Sequence, residues 1–160
     1  MLRTTYSPLS TAFRVALQGR RSFSQSHFLA NKRWSDLVHR TKAASHIHEI
    51  SAAELNNHIQ GQSPSSSETA PVIIDVREGS ELELGKIPHA ISIPRGVLEL
   101  RIEKIVNIDS NRPIVLYCAG GLRSVMAAEA LQRMGYDNEK IKSLNGGFEL
   151  WREEGYDIEC

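Results

Sequence analysis

The chain has 160 residues, enough for one domain with a substantial core and hardly for two. Hydrophobic residues make up 41% and charged residues 24%, which is close to globular averages and argues against general disorder and against a membrane-embedded protein. The two cysteines, Cys118 and Cys160, are too few for a disulfide framework or a four-cysteine zinc site. Any special sulfur chemistry therefore requires one activated thiol.

The first 35 residues differ in charge from the rest of the chain, although the formal net charge is zero. They contain six Lys or Arg residues and no acidic residue, whereas residues 36–160 hold 13 basic and 19 acidic residues, a net charge of −6. A basic, Ser-rich segment without acid is typical of an organellar transit peptide. We predict a mitochondrial leader over residues 1–35, cleavage after Phe23 and a matrix location; the alternative is a basic arm.

From residue 46 onwards, strand and helix signals alternate, which predicts one domain over residues 46–160. Ser51 is suited to an N-cap, with Glu54 completing a capping box. The polar stretch 61–68 indicates a surface loop. Strands are predicted at 47–50, 72–76, 90–93, 114–117 and 141–144, and later helices at 98–105, at 124–134 and after Gly146-Gly147.

The predicted strands are apolar on both faces and are separated by helices, which indicates an α/β fold with a parallel sheet covered on both sides. Ligands of such folds bind at the carboxyl ends of the strands. The strand ending at Tyr117 is followed there by Cys-Ala-Gly-Gly-Leu-Arg-Ser, residues 118–124. This loop is the predicted site.

Three features of the loop favour a thiolate at Cys118. Gly120 and Gly121 allow successive N–H groups to turn inward, forming a nest for negative charge. The helix expected to begin near Ser124 adds the positive end of its dipole, and Arg123 adds a permanent cation. The alternative is an inert thiol in a tight turn.

Four separated motifs occur in order along the chain: VIIDVRE (72–78), GKIPHA with IPRG (85–90 and 93–96), CAGGLRS (118–124) and NGGFELW (145–151). Together they resemble a single-domain rhodanese, over roughly residues 46–156. The resemblance implies an α/β rhodanese fold, a five-stranded parallel sheet flanked by helices on both faces. It also implies sulfurtransferase activity through a persulfide on Cys118, without a cofactor. Thiosulfate or a persulfide would be the donor, and a thiol, cyanide or a protein partner the acceptor.

The length of the Cys118 loop distinguishes this chain from proteins of similar fold that catalyse other reactions. Phosphatase and arsenate reductase relatives of this fold have five residues between Cys and Arg, whereas four separate Cys118 from Arg123 here. The smaller loop suits a single sulfur better than a tetrahedral oxyanion. A phosphatase or arsenate reductase remains an alternative, as does a sulfur-carrier or redox-sensing module without small-molecule turnover.

The sequence also suggests roles for the other candidate residues in and near the loop. Arg123 is expected to orient the donor, and Ser124 to cap the helix and to hydrogen-bond the persulfide. Near the site, Asp75 and Arg77 are interpreted as a structural ion pair rather than catalytic groups, and Arg95 as lining the mouth or as solvated. No metal site, nucleic-acid partner or membrane association after import is predicted, and Cys160 is an incidental or a resolving thiol. The predicted substrate-binding residues are Ala119, Gly120, Gly121, Leu122, Arg123 and Ser124.

Overall fold

The computed structural model describes residues 23–61 and 70–160, and Asp36–Cys160 forms one compact unit. No helix among the described residues is long and apolar enough to cross a membrane. The helices are α1 (Phe23–Ala44), α2 (Ala52–Gln60), α3 (Leu98–Arg101), α4 (Leu122–Arg133) and α5 (Gly147–Glu153). The strands are β1 (His48–Ile50), β2 (Val72–Asp75), β3 (Ile91–Ser92), β4 (Ile114–Tyr117) and β5 (Ile141–Leu144).

The strands form one parallel sheet in the order β1-β5-β4-β2-β3, which confirms the predicted fold class. Every residue of the neighbouring strands β2 and β4 is buried, because helices cover both faces of the sheet. One face packs under α3 and α4 around Leu98 and Leu131, and the other under α2 and α5 around Leu55 and Trp151.

The register of β2 and β4 positions the site. Asp75 at the end of β2 lies opposite Tyr117 at the end of β4. The two chain segments that leave these strands therefore emerge side by side at the carboxyl edge of the sheet. One of them is the loop 118–124, and the other contains a 3-10 helix, Gly79–Leu84.

Several element boundaries differ from the predicted ones. The predicted helix 98–105 stops as an α-helix at Arg101 and continues as a 3-10 turn, so that Val106 is buried and Ile105 is 38% exposed. The predicted strand 90–93 shortens to Ile91–Ser92, since β3 is an edge strand with β2 as its neighbour. The capping box of Ser51 and Glu54 is present as predicted.

Two predicted segments fall largely outside the described residues. The predicted leader 1–35 is described only from Phe23, where α1 begins. The predicted surface loop 61–68 is described only at Gly61.

Candidate active site

Cys118 directly follows β4 and is 1% exposed. Its side chain belongs to the core cluster under α4, because the preceding strand is apolar on both faces and is itself enclosed. The Cys118 Sγ lies 3.9 Å from the Ser124 Oγ, at the other end of the loop. The two ends of the loop therefore lie close together.

The N-terminus of α5 holds the first half of this loop. The Phe148 N–H donates to the Cys118 carbonyl at 2.8 Å, and the Glu149 N–H donates to the Ala119 carbonyl at 3.0 Å. A Cβ at Gly147 would lie 2.4 Å from both carbonyl oxygens, and the φ of Gly147 is +59°. Glycine is required here by the close approach and by the left-handed backbone. This contact explains why the Gly-Gly sequence before α5 accompanies the Cys loop.

The backbone N–H groups of residues 119–124 are available to a ligand. Within the described part of the chain, none of them donates to a protein acceptor. Helix α4 begins at Leu122, so the last of these groups are the unsatisfied donors of its first turn, at the positive end of its dipole. Two carbonyls of the same loop are bound to α5. Unsatisfied N–H groups of this kind can bind an anion, so the predicted nest stays a prediction.

The predicted capping role of Ser124 is wrong. Gly121, with a φ of +86°, is the N-cap, and α4 begins two residues earlier than predicted. Ser124 is fully buried, and its hydroxyl donates to the Gly121 carbonyl at 2.9 Å. The Ser143 hydroxyl, 2.8 Å away, then donates to the Ser124 Oγ. Ser143 was missed by the sequence analysis, although a polar residue in a buried strand was a usable signal.

Arg123 is bound by a residue that the sequence analysis did not single out. Its Nη1 and Nη2 donate to the two carboxylate oxygens of Glu81 at 2.7 and 2.6 Å. The hydrogen bond from Arg123 lowers the pKa of Glu81 to about 2. The hydrogen bond to Glu81 raises the pKa of Arg123, with a smaller contribution from the Cys118 sulfur. The sequence signal for Glu81 was an acidic residue in the segment that follows β2, the strand that pairs with β4.

The predicted ion pair of Asp75 and Arg77 is present and buried, with a shortest distance of 2.6 Å. Arg77 also donates to the main-chain carbonyls of Glu81 and Gly85, at 3.1 and 2.7 Å, and its guanidinium lies 4.0 Å from the centre of the Phe148 ring. Burial alone would lower the pKa of Arg77. The hydrogen bonds to Asp75 and its negative charge outweigh burial, and the net effect is a raised pKa. The pair anchors the 3-10 helix Gly79–Leu84 to the sheet.

The contacts of the Arg95 and Cys160 side chains are with residues outside the loop 118–124. The Arg95 Nη1 donates to both carboxylate oxygens of Glu99 at 2.9 Å, and Nη2 lies 3.4 Å from the Met126 carbonyl on α4. Within the described residues, no hydrogen bond joins Arg95 to the loop 118–124. Cys160 is exposed, and its sulfur lies beside Gly85.

Comparisons with known proteins agree with this geometry. Residues 51–154 match the model of the Rhodanese-like domain. A "Sulfurtransferase" of Allochromatium vinosum is 31% identical, over 54% of this chain and 77% of its own length. "Thiosulfate sulfurtransferase GlpE" of Shewanella oneidensis is 35% identical, over 51% of this chain and 75% of its own.

A solved structure from Rhodopseudomonas palustris has the same fold. Its TM-score is 0.63 and its sequence identity 32%, with 79% of this chain and 93% of that chain covered. That protein is of unknown function and is described as a possible tyrosine phosphatase. The matched domain model covers more than half of the chain and includes β2, β4 and the Cys118 loop. The chain therefore belongs to the rhodanese-like domain family.

Proposed function

We propose that this protein is a sulfurtransferase that carries sulfane sulfur on Cys118 as a persulfide. The main support is the loop that begins at Cys118, because the backbone N–H groups of residues 119–124 have no protein acceptor among the described residues. The other end of this loop brings the Ser124 Oγ to 3.9 Å from the Cys118 Sγ. Such donors stabilise negative charge on sulfur in an enclosed site. The sulfurtransferase names of two relatives point in the same direction.

In the first half-reaction, the Cys118 thiolate attacks the outer sulfur of the donor, for which we propose thiosulfate or a persulfide. With thiosulfate, a bond forms between the Cys118 Sγ and the outer sulfur, and the sulfur–sulfur bond of thiosulfate breaks. Sulfite leaves with the electron pair of that bond. The loop N–H groups then hold the terminal sulfur of the Cys118 persulfide anion.

In the second half-reaction, a thiolate or cyanide attacks the terminal sulfur of the persulfide. The new bond joins this sulfur to the acceptor, the bond to Sγ breaks, and the Cys118 thiolate is restored with the electron pair. The cycle needs no cofactor, because each step exchanges one bond at divalent sulfur. It predicts ping-pong kinetics.

A phosphatase is the second candidate, because the Rhodopseudomonas palustris structure is described as a possible tyrosine phosphatase. Two observations favour sulfur transfer over it in this chain. Only four residues separate Cys118 from Arg123. The sulfur of Cys118 is also nearly fully buried, so that admission of one further sulfur atom requires less room than admission of a phosphoryl group.

We also propose that the protein acts in the mitochondrial matrix after removal of a leader. The support is the sequence of residues 1–35, which holds six basic and no acidic residues. Import of the full-length chain into isolated mitochondria, followed by N-terminal sequencing, tests this proposal. A mature N-terminus at Ser24 is the expected result, and an uncleaved, unimported chain contradicts it.

The proposed chemistry is tested by intact-mass measurement of the protein before and after thiosulfate, with Cys118→Ser as the control. We expect a gain of about 32 Da, one sulfur, that requires Cys118 and disappears on addition of cyanide. Repeated turnover with thiosulfate and cyanide separates an enzyme from a sulfur carrier that is loaded once. Hydrolysis of a phosphate ester without any sulfur adduct would contradict the proposal.

A further inference from the structure

Glu81 holds the positively charged end of Arg123. Both carboxylate oxygens are engaged, one with Nη1 at 2.7 Å and the other with Nη2 at 2.6 Å. This bidentate geometry is the strongest arrangement for an arginine and a carboxylate. It is also the geometry with which a guanidinium would bind a small oxyanion, so Glu81 occupies the end of Arg123 that such a donor would use.

The position of Glu81 is fixed by the protein itself. Its main-chain carbonyl accepts from Arg77 at 3.1 Å, and Arg77 is buried against Asp75. Its side chain also accepts from the Glu78 N–H at 3.0 Å, which closes the first turn of the 3-10 helix. Glu81 is thus held in an anchored turn when it binds Arg123, and it is not a freely rotating surface side chain.

The side-chain charges around the loop therefore disfavour a dianion. Arg123 is the one cationic residue between Cys118 and Ser124. Two carboxylates lie near the loop. Glu81 is bound to Arg123, and one oxygen of Glu149 would lie 3.3 Å from a Cβ at Gly120. Arg95 does not neutralise these two carboxylates, since its Nη1 is bound to Glu99. The backbone N–H groups would stabilise one negatively charged sulfur. A donor with a second negative charge would be repelled by the Glu81 carboxylate.

We propose that Glu81 is a specificity-determining residue that withholds Arg123 from dianionic donors, so that the loop prefers sulfane-sulfur donors with a single negative charge. This inference rests on the proposed sulfurtransferase function and specifies its substrate class. A persulfide anion of a thiol belongs to the preferred class, and thiosulfate, with two charges, belongs to the disfavoured one. Glu81 acts through Arg123, and it takes no part in the transfer of sulfur.

Thiosulfate and benzenethiosulfonate are suitable probes, because both offer an outer sulfur to Cys118. Thiosulfate carries two negative charges and benzenethiosulfonate carries one. Attack on the thiosulfonate forms the same Sγ–sulfur bond and breaks the donor's sulfur–sulfur bond, and a sulfinate leaves with the electron pair. Steady-state kinetics of the full-length protein with cyanide as acceptor give kcat and KM for each donor. The ratio of kcat/KM for the two donors measures charge preference.

Glu81→Gln keeps the size of the side chain and removes its charge. We expect kcat/KM for thiosulfate to rise about tenfold, mainly through a lower KM, and kcat/KM for benzenethiosulfonate to rise by no more than about threefold. Glu83→Gln is the matched control, since Glu83 lies on the same 3-10 helix and is exposed, and both donors should change less than about twofold. Glu81→Asp, which retains the charge, should keep the preference of the parent protein.

Three outcomes would overturn the inference. A fall in kcat/KM for both donors in Glu81→Gln would mean that Glu81 positions Arg123 and does not withhold it. An unchanged ratio between the donors would mean that charge at this residue does not select them. Absence of a Cys118 sulfur adduct with either donor, in the parent protein and in Glu81→Gln, would instead overturn the sulfurtransferase function itself. Circular dichroism of each variant confirms that it is folded.

Discussion

Arg77 and Arg123 lie near the same edge of the sheet, and each pairs with a carboxylate through two nitrogens. Arg77 is 1% exposed and donates to Asp75 and to two main-chain carbonyls. The Arg123 side chain is 31% exposed, and its Nη1 and Nη2 donate to the two carboxylate oxygens of Glu81. The difference shows that an ion pair alone does not define the role of an arginine. The number of fixed partners and the exposure decide whether it anchors the fold or can exchange a partner.

The largest expected effect is on stability, and it falls on Arg77. Arg77→Met would leave the carboxylate of Asp75 buried without its partner, which costs about 3–5 kcal/mol of the free energy of unfolding. Arg123→Met removes a partly exposed pair and should cost less than about 1 kcal/mol. Urea unfolding of both variants, followed by circular dichroism, measures the two values. Equal losses would contradict the distinction between the two arginines.

The double variant Asp75→Asn/Arg77→Met sharpens this experiment. Asparagine at residue 75 removes the uncompensated charge that the single Arg77 variant leaves in the core. We therefore expect the double variant to be more stable than Arg77→Met in the same urea titration. A double variant that is less stable would mean that lost packing, and not the buried charge, dominates.

The next largest effect is expected at Gly147, which lets α5 reach the Cys118 loop. Gly147→Ala would place a Cβ 2.4 Å from two loop carbonyls, at a φ of +59°. Overpacking and a left-handed alanine together cost about 2–4 kcal/mol, and displacement of the loop should abolish sulfur loading. Gly79→Ala is the control, because a Cβ at Gly79 would meet no other atom within 4 Å. Normal loading of Gly147→Ala in the intact-mass assay would contradict this role of α5.

A smaller effect is expected on catalysis at Arg123. Arg123→Met leaves the Glu81 carboxylate without its cation. The unpaired negative charge should repel thiosulfate and lower its kcat/KM about tenfold, equivalent to about 1.4 kcal/mol. Arg123→Lys retains a charge without the fork that Glu81 binds, and should lose less activity than Arg123→Met. Unchanged kinetics in both variants would show that the backbone N–H groups suffice to bind the donor.

The smallest effect is the pH dependence of the Glu81–Arg123 pair. The pKa of Glu81 is lowered from 4.5 to about 2 in the folded protein. The stabilisation is therefore fully present above pH 4.5 and is lost as the pH falls towards 2. Because the pair is partly exposed, we expect less than about 1 kcal/mol. The unfolding free energies of the parent and Glu81→Gln, measured between pH 5 and 2, should converge at the acid end. A constant difference would mean that the carboxylate charge is not the cause.

The sequence predicted the sheet, the capping box and the location of the Cys118 loop, because these depend on local patterns. Apolar runs such as Ile114–Tyr117 indicate a buried strand wherever they occur in the fold. The helix boundary at Ser124 was predicted wrongly, since serine is a common N-cap and the sequence does not reveal that Gly121 adopts a φ of +86°. Ser143 and Glu81 were missed because their partners are 19 and 42 residues away along the chain.

The groups at the site can be read from the chain: one cysteine after a buried strand, two glycines, an arginine and the start of a helix. Their hydrogen-bond partners follow from the packing of distant segments. The parallel pairing of β2 with β4 brings the segment that carries Glu81 next to the Cys118 loop, and the approach of α5 binds two of the loop's carbonyls. These contacts join residues distant in the chain, whereas local patterns report only the conformational and burial preferences of neighbours. The carboxylate bound to Arg123 next to the Cys118 loop is therefore set by the fold.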